Sequence, residues 1–306
     1  MLLMGRKVLL TMGSRGLWGT GLAMAACLAL GDAGWAAESR WFETSDGVRL
    51  HYIEGGETNA RTVVLVPGWT MPAWIFDAQI AALEDRYHVL ALDPRGQGAS
   101  EVSAFGYTHE RRGRDIAELI EHEAAGRVVL VGWSLGVLES LAMVAAEGDA
   151  RIAGLVLIDN SVGEGPAPTP VNSTRSVEPH TPTPEVRRRA RAEFVGRLFA
   201  TDPGEAYRVR LTDDALRMSP EQERQLLSYT PPRTFWRETL YAASRPLLYV
   251  IRPRLAVQGR AVAARPDTQV VTFDHAGHAL FVDEPVRFNT LLIEFLDHRA
   301  DWADAA

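Results

Sequence analysis

Cysteine is almost absent from this sequence: Cys27 is the only one among 306 residues, and it lies in an apolar run near the N-terminus. One thiol cannot form a disulfide within the chain, and cysteine-ligated metal centres need several. If the chain is cleaved after this run, the mature protein has no thiolate nucleophile either. Its chemistry must then come from hydroxyl, imidazole and carboxylate side chains.

Basic charge is also scarce. The formal net charge is −7, the sequence pI is about 5.7, and the only dense basic run is 187–189, with Glu185 and Glu193 close by. Such a run suits the solvated face of a helix. Because nucleic acids and anionic membranes attract basic surfaces, the sequence predicts neither as a partner.

The N-terminal apolar run, 17–30, is shorter than the ~20 residues of a membrane-spanning helix. It follows three cations and precedes several small residues. This layout predicts a signal peptide over 1–37, cleaved near Ala36 or Ala37, and a periplasmic or secreted mature chain without a stable membrane span. Lipidation at Cys27 is the weaker alternative, because apolar residues continue at 28–30, where a lipoprotein site would close the run.

Beyond this leader, short β-branched runs alternate with helix-length segments, which is typical of an α/β fold with a mainly parallel sheet. The central runs are almost entirely apolar, as expected for strands covered on both faces. An antiparallel hairpin is predicted over 41–52, which precedes the central strands in the sequence. The expected strands are 62–66, 88–92, 127–131, 155–158, 247–251 and 269–273.

The segment 161–245 has a different composition. It begins with a stretch rich in Pro, Thr and Gly, and three helical patterns follow at 185–201, 213–228 and 233–243. Since the segment falls between two predicted strands, it should pack over their carboxyl ends, where open α/β sheets bind ligands. We therefore expect a linker plus helical lid at 161–245, inserted into a core formed by 38–160 and 246–306.

One pentapeptide carries the clearest chemical signal. An apolar strand runs into Gly132-Trp133-Ser134-Leu135-Gly136, and a helical pattern follows at once. In a sharp strand-to-helix turn, the residues two before and two after the serine must be small, because larger side chains would clash there. Such a turn lifts the Ser134 hydroxyl to the end of the sheet, which predicts a nucleophile.

Four motifs in order resemble the α/β-hydrolase fold superfamily, in particular its serine esterase and lactonase members. Each follows a predicted strand, and the likeness extends from Trp41 to His298. The motifs are Pro67-Gly68-Trp69, Asp93-Pro94-Arg95-Gly96-Gln97-Gly98-Ala99-Ser100, the serine pentapeptide and Ala276-Gly277-His278. The resemblance implies a mainly parallel central sheet with helices on both faces and a helical lid.

The resemblance also implies roles for individual residues. Ser134 would be the nucleophile and His278 its general base, with His275 as the weaker candidate for the base. The backbone N–H groups of Trp69 and Leu135 would form the oxyanion hole. Pro67 stands where the family usually has histidine, which is expected to alter the shape of the loop without removing the N–H donor.

The triad acid departs from the common pattern. Most relatives carry an Asp just after the next-to-last strand, but 252–258 contains no carboxylate. Some relatives place the acid one strand earlier, which here corresponds to Asp159. Asp159 could instead only cap the end of its strand, and Asp274 or Asp283 are weaker substitutes for the acid.

These residues together predict an exported serine hydrolase without cofactor or metal, and they favour a small ester or lactone as substrate over an amide. Relatives that are dehalogenases or epoxide hydrolases have an aspartate at the position of Ser134 in the strand-to-helix turn, which we call the elbow. Ser134 therefore argues against their chemistry. Two alternatives stay open. One is a non-catalytic binding protein for small molecules, and the other is a cofactor-free perhydrolase or haloperoxidase.

Overall fold

A computed structural model describes residues 37–165, 183–228 and 231–303. The predicted signal peptide and Cys27 lie outside these ranges, apart from Ala37. The strands are β1 (Glu38–Glu43), β2 (Arg49–Gly55), β3 (Thr62–Val66), β4 (His88–Asp93), β5 (Val128–Trp133), β6 (Ile152–Ile158), β7 (Leu247–Ile251) and β8 (Thr268–Thr272). They form one central eight-stranded sheet in the order β1-β2-β4-β3-β5-β6-β7-β8.

The sheet is parallel from β4 to β8, whereas β1 and β2 form an antiparallel hairpin at one edge. Every residue of β3 to β7 is buried, while β8 at the far edge is only half-buried. The strands β3 to β7 are continuous apolar runs because both of their faces are covered. The predicted α/β fold with a mainly parallel sheet is confirmed.

Helices cover both faces of the sheet, and side chains alternate between two cores. The helices are α1 (Asp77–Leu83), α2 (His109–Glu123), α3 (Leu135–Glu147), α4 (Pro184–Gly196), α5 (Glu205–Asp214), α6 (Pro220–Leu226), α7 (Arg233–Ala242), α8 (Ala256–Val262), α9 (Leu280–Asp283) and α10 (Pro285–His298). Val64 and Val66 of β3 face the core that contains α2, α3, α7 and α8, and Val63 and Leu65 face the core that contains α1, α9 and α10. None of the helices in the described ranges is long and apolar enough to span a bilayer.

Helices α4 to α7 lie between β6 and β7, in the segment expected to form the lid. The described part of that segment holds four helices rather than the three predicted, because α5 lies almost wholly between the patterns at 185–201 and 213–228 and was not predicted. The pattern at 213–228 includes only the last two residues of α5 and the whole of α6. Ser219 and Pro220 separate the two: Ser219 and Gln222 form a capping box, which starts a new helix. Periodicity alone passed over that break.

Candidate active site

Ser134 lies between the last residue of β5 and the first residue of α3. Its backbone has φ 54° and ψ −118°, a conformation that a non-glycine residue rarely adopts, and its N–H donates to the carbonyl of Ile158 over 2.9 Å. An added Cβ on Gly132 would lie 2.5 Å from the carbonyl oxygen of Gly136. An added Cβ on Gly136 would lie 2.4 Å from that of Val66. Both glycines are therefore required by close backbone packing around the strained turn.

His278 reaches this serine from the loop after β8. Its Nε2 lies 2.8 Å from Oγ of Ser134. The loop is held close to β5, because the indole Nε1 of Trp133 donates to the carbonyl of His278 over 2.8 Å. His275, the alternative base, is exposed to solvent. The geometry therefore brings together the serine and the histidine that the motifs predicted.

Asp159 follows β6 and contacts the opposite side of the imidazole. Its Oδ2 lies 2.6 Å from Nδ1 of His278, and the residue is completely buried with φ 46°. Burial raises the pKa of Asp159, but the hydrogen bond and charge of His278, with the charges of Arg254 and Arg252, outweigh burial and hold that pKa below its ordinary value. An ionised carboxylate therefore accepts from the ring that contacts Ser134.

The two weaker candidates for the acid lie elsewhere. Asp274 is exposed. Asp283 accepts from the backbone N–H groups of Ala200, Thr201 and Gly277, so its carboxylate fastens the histidine loop to the segment after α4. Among the three carboxylates considered, only Asp159 has a hydrogen bond to His278.

Sequence comparison identifies the family to which this fold belongs. The model of the alpha/beta hydrolase family matches residues 63–291, which include the serine, the histidine and the buried carboxylate. The chain belongs to the α/β-hydrolase family. It is an enzyme family, and the order of strands and helices described above is the family's fold.

Individual relatives of this α/β-hydrolase differ in their named activities. Haloalkane dehalogenase 2 of Mycobacterium tuberculosis is 29% identical over 276 residues, covering 84% of this chain and 94% of the relative. A non-heme haloperoxidase of Rhodococcus erythropolis is 34% identical over 115 residues, covering 37% and 41%. An esterase from Rhodococcus sp. ECU1013 has a similar structure, with a TM-score of 0.70, 23% identity and coverage of 86% and 99%.

Two arginines after β7 contact the buried carboxylate, and the sequence did not reveal this role. Arg252 donates through its backbone N–H to Oδ1 of Asp159 and through Nε to Oδ2, over 3.1 and 2.6 Å. Arg254 donates to the same Oδ2 over 3.2 Å. The signal was present as Arg252-Pro253-Arg254, at the strand end where most relatives carry the acid. This hydrolase thus has cations where a carboxylate is usual. Their positive charge balances the negative charge of Asp159 at the neighbouring strand end.

The loop after β3 forms the other wall of the site. An added Cβ on Gly68 would lie 2.9 Å from Cβ of Ser134 and 3.4 Å from its Oγ. Trp69 follows directly, and Leu135 is the buried first residue of α3. Both residues predicted to form the oxyanion hole therefore belong to backbone next to the serine.

The helices inserted after β6 press on this loop and on the histidine loop. Arg191 of α4 donates to Oγ1 of Thr70 over 3.1 Å, and its guanidinium lies 4.4 Å from the centre of the Trp69 ring. The N–H of Ala279, next to the histidine, donates to the carbonyl of Leu198 over 2.8 Å. The inserted segment therefore contacts both loops that lie next to Ser134.

A cavity of 460 Å³ lies between α3, α7 and the segment after β6, and none of the predicted site residues lines it. Leu138, one turn after the serine on α3, and Trp236 of α7 line its apolar part, and Asn160 lines its polar part. Nδ2 of Asn160 donates to the backbone carbonyl of Ser134 over 2.6 Å, which ties the cavity wall to the elbow. A larger cavity of 790 Å³, between the β1–β2 hairpin and α5, contains none of the predicted site residues.

Proposed function

We propose that this protein is a serine hydrolase that cleaves a small ester or lactone through an acyl-enzyme on Ser134. The observation that carries the proposal is the pair of contacts on His278: 2.8 Å from Nε2 to Oγ of Ser134, and 2.6 Å from Nδ1 to Oδ2 of Asp159. A hydroxyl, an imidazole and a buried carboxylate connected in this order form a catalytic triad in many unrelated folds.

In the first half of the proposed reaction, Oγ of Ser134 attacks the carbonyl carbon while Nε2 of His278 takes its proton. Asp159, ionised, stabilises the imidazolium. The N–H groups of Trp69 and Leu135 hold the negative oxygen of the tetrahedral intermediate. The intermediate collapses, the bond to the leaving oxygen breaks, and the imidazolium returns the proton to that oxygen.

In the second half, a water molecule gives its proton to Nε2 and its oxygen attacks the acyl-enzyme. Collapse of the second intermediate releases the carboxylic acid and restores the Ser134 hydroxyl. For a lactone the leaving hydroxyl belongs to the acyl group itself, so one hydroxy acid is the only product. The 460 Å³ cavity has the size of sites for small molecules, and its wall residue Asn160 is hydrogen-bonded to the backbone of Ser134, which favours a compact substrate over a peptide.

Dehalogenation, the activity named for the Mycobacterium relative, does not suit this nucleophile. Attack of a serine oxygen on an alkyl halide would expel the halide and leave an alkyl ether on Ser134. Water attacking a carbonyl can cleave an ester, but an ether has no carbonyl, so the enzyme would stay alkylated. An acyl group on Ser134, in contrast, leaves by the same chemistry that attached it.

The test combines labelling with turnover. We expect a fluorophosphonate probe to modify the purified protein stoichiometrically at Ser134, and p-nitrophenyl esters of short acids to be hydrolysed. Ser134→Ala should abolish both, whereas Ser161→Ala, which removes a hydroxyl from the neighbouring cavity wall, should preserve labelling. A protein that neither labels nor turns over would instead be the non-catalytic binding protein.

A second candidate is perhydrolysis, favoured by the match to the haloperoxidase of Rhodococcus erythropolis. Hydrogen peroxide would replace water in the second half of the reaction, releasing a peracid that oxidises halide without any cofactor. Peroxide-dependent bromination in acetate buffer, lost in Ser134→Ala, would support it. Hydrolysis of esters without bromination would rule out perhydrolysis and support only the esterase activity.

We further propose that the chain is exported and that the helices of 183–245 act as a lid. Export predicts a mature N-terminus near Ala36 or Ala37, which N-terminal sequencing of the periplasmic or secreted protein would identify. The contacts of Arg191 with Thr70 and Trp69 support the lid, because they join α4 to a loop beside the nucleophile.

A further inference from the structure

Gln97 is a completely buried amide beneath the loop that follows β3. Its Nε2 donates to the carbonyl oxygens of Gly68 and Met71, over 3.0 and 2.7 Å. Its Oε1 accepts from the N–H of Thr70, over 3.1 Å. Gly68 and Thr70 flank Trp69 directly, and Met71 follows Thr70.

The fourth contact of this amide leads toward the nucleophile. Oε1 of Gln97 also accepts from Arg112 over 2.8 Å, and the Arg112 guanidinium lies 3.1 Å from the carboxylate of Glu139 on α3. That helix begins directly after Ser134. The amide therefore uses both of its donors and two acceptor positions to join the β3 loop to the helix of the nucleophile.

The loop needs such support because its backbone is strained. Thr70 has φ 64°, a conformation that β-branched residues disfavour. Strained backbone persists only when the surrounding structure holds it, and the three bonds from Gln97 act on that residue and its neighbours. Gly68, one of the bonded residues, also packs against Ser134.

We propose that Gln97 is a positioning residue for the oxyanion hole, which sets the Trp69 N–H relative to Ser134. The inference rests on the proposed serine hydrolase function. Gln97 itself touches no reacting atom. It acts through the backbone of Gly68, Thr70 and Met71. Its removal should therefore reduce stabilisation of the transition state and leave the binding of substrate in the ground state almost unchanged.

Gln97→Glu tests this with little change in size. The carboxylate still accepts from Thr70 and Arg112, but its second oxygen faces the carbonyls of Gly68 and Met71, which repel it. We expect kcat for a p-nitrophenyl ester to fall about 10²-fold with KM changed by less than roughly twofold. A trifluoromethyl ketone, whose adduct with Ser134 carries the oxyanion, should lose affinity by a similar factor.

Two further variants separate positioning from a general loss of stability. Gln79→Glu makes the same change at another buried glutamine, which donates to the carbonyl of Phe281 and to Asn289, and should keep kcat within roughly threefold of wild type. Gln97→Met removes all four bonds at similar length and should show the same fall in kcat as Gln97→Glu. Titration of active sites with the fluorophosphonate probe gives kcat per functional molecule in every variant.

The outcomes distinguish this inference from the function on which it rests. Wild-type kcat and inhibitor affinity in folded Gln97→Glu would overturn the positioning role while leaving the hydrolase intact. An equal fall in Gln79→Glu would also overturn it, because the effect would then be structural. A wild-type protein without Ser134-dependent labelling or turnover would remove both proposals.

Discussion

Arg252 donates its Nε–H over 2.6 Å to Oδ2 of Asp159, the carboxylate oxygen that also accepts from His278. The arginine occupies the strand end where most relatives of this fold carry the acid. In this chain the carboxylate follows β6, and the cation follows the neighbouring strand β7. A buried carboxylate with so many donors is fixed in orientation and kept ionised.

Replacing this carboxylate should damage turnover more than binding. We expect Asp159→Asn to lower kcat about 10³- to 10⁴-fold with a similar KM, because the imidazolium loses its anionic partner and the tautomer of His278 is no longer enforced. Steady-state hydrolysis of a p-nitrophenyl ester measures this. Asp274→Asn, at an exposed aspartate of the same histidine loop, should retain wild-type rates. Full activity in Asp159→Asn would leave Asp159 as a cap of its strand.

The same residue should contribute a pH-dependent stability. The pKa of Asp159 is lowered below its ordinary 3.8, so the folded state binds its proton less readily than the unfolded chain. This contribution is complete above that ordinary value and is lost as pH falls through the lower folded pKa. Urea unfolding of wild type and Asp159→Asn should therefore give a stability difference that is constant near neutrality and shrinks below about pH 4. A difference that shrinks already between pH 7 and 5 would contradict the lowered pKa.

Glu139 should make the opposite contribution, so that the stability of the protein falls as pH rises. Complete burial raises its pKa from 4.5 to about 7, despite the Arg112 guanidinium 3.1 Å away. The folded state then binds a proton more tightly than the unfolded chain, and this contribution declines as pH rises from about 4.5 to 7. We expect a loss on the order of 3 kcal/mol in the free energy of unfolding over that range.

Glu139→Gln provides the comparison for this pH dependence. Glutamine cannot ionise, so the variant should lack the decline between pH 4.5 and 7 that denaturant titration detects in the wild type. Parallel stability curves for the two proteins would show that Glu139 is ionised throughout.

Close packing at the elbow predicts an intolerant glycine. An added Cβ on Gly136 would lie 2.4 and 2.8 Å from the carbonyl oxygens of Val66 and Pro67, neither of which can move freely. Gly136→Ala should therefore lower the free energy of unfolding by about 1–3 kcal/mol or more and displace Ser134. The control is Gly196→Ala at the end of α4, where an added Cβ meets no atom within 4 Å. Its stability should be unchanged or raised by less than about 1 kcal/mol. Thermal unfolding of both variants tests the difference.

Several elements followed from the sequence alone. Six strands were predicted from apolar runs between turn residues, and the structure has all six within a few residues. The runs of β3 to β7 are the clearest, because burial on both faces favours a continuous apolar composition. The glycines around Ser134 were equally informative, since a strained elbow admits only small neighbours. Helix α5 was missed except for its last two residues. The break before α6 was also missed, because a capping box interrupts a helical pattern without changing its polarity.

The sequence by itself determined the α/β fold, the serine elbow and the order of the motifs, because each depends on short stretches of chain with a fixed local conformation. Only the tertiary structure decided which carboxylate contacts His278 and that two arginines after β7 donate hydrogen bonds to that carboxylate. It also decided that Gln97 is bonded to the loop beside Ser134. Those contacts join residues far apart in the chain, such as Asp159 and Arg252, and a hydrogen bond depends on ångström distances that no local pattern encodes.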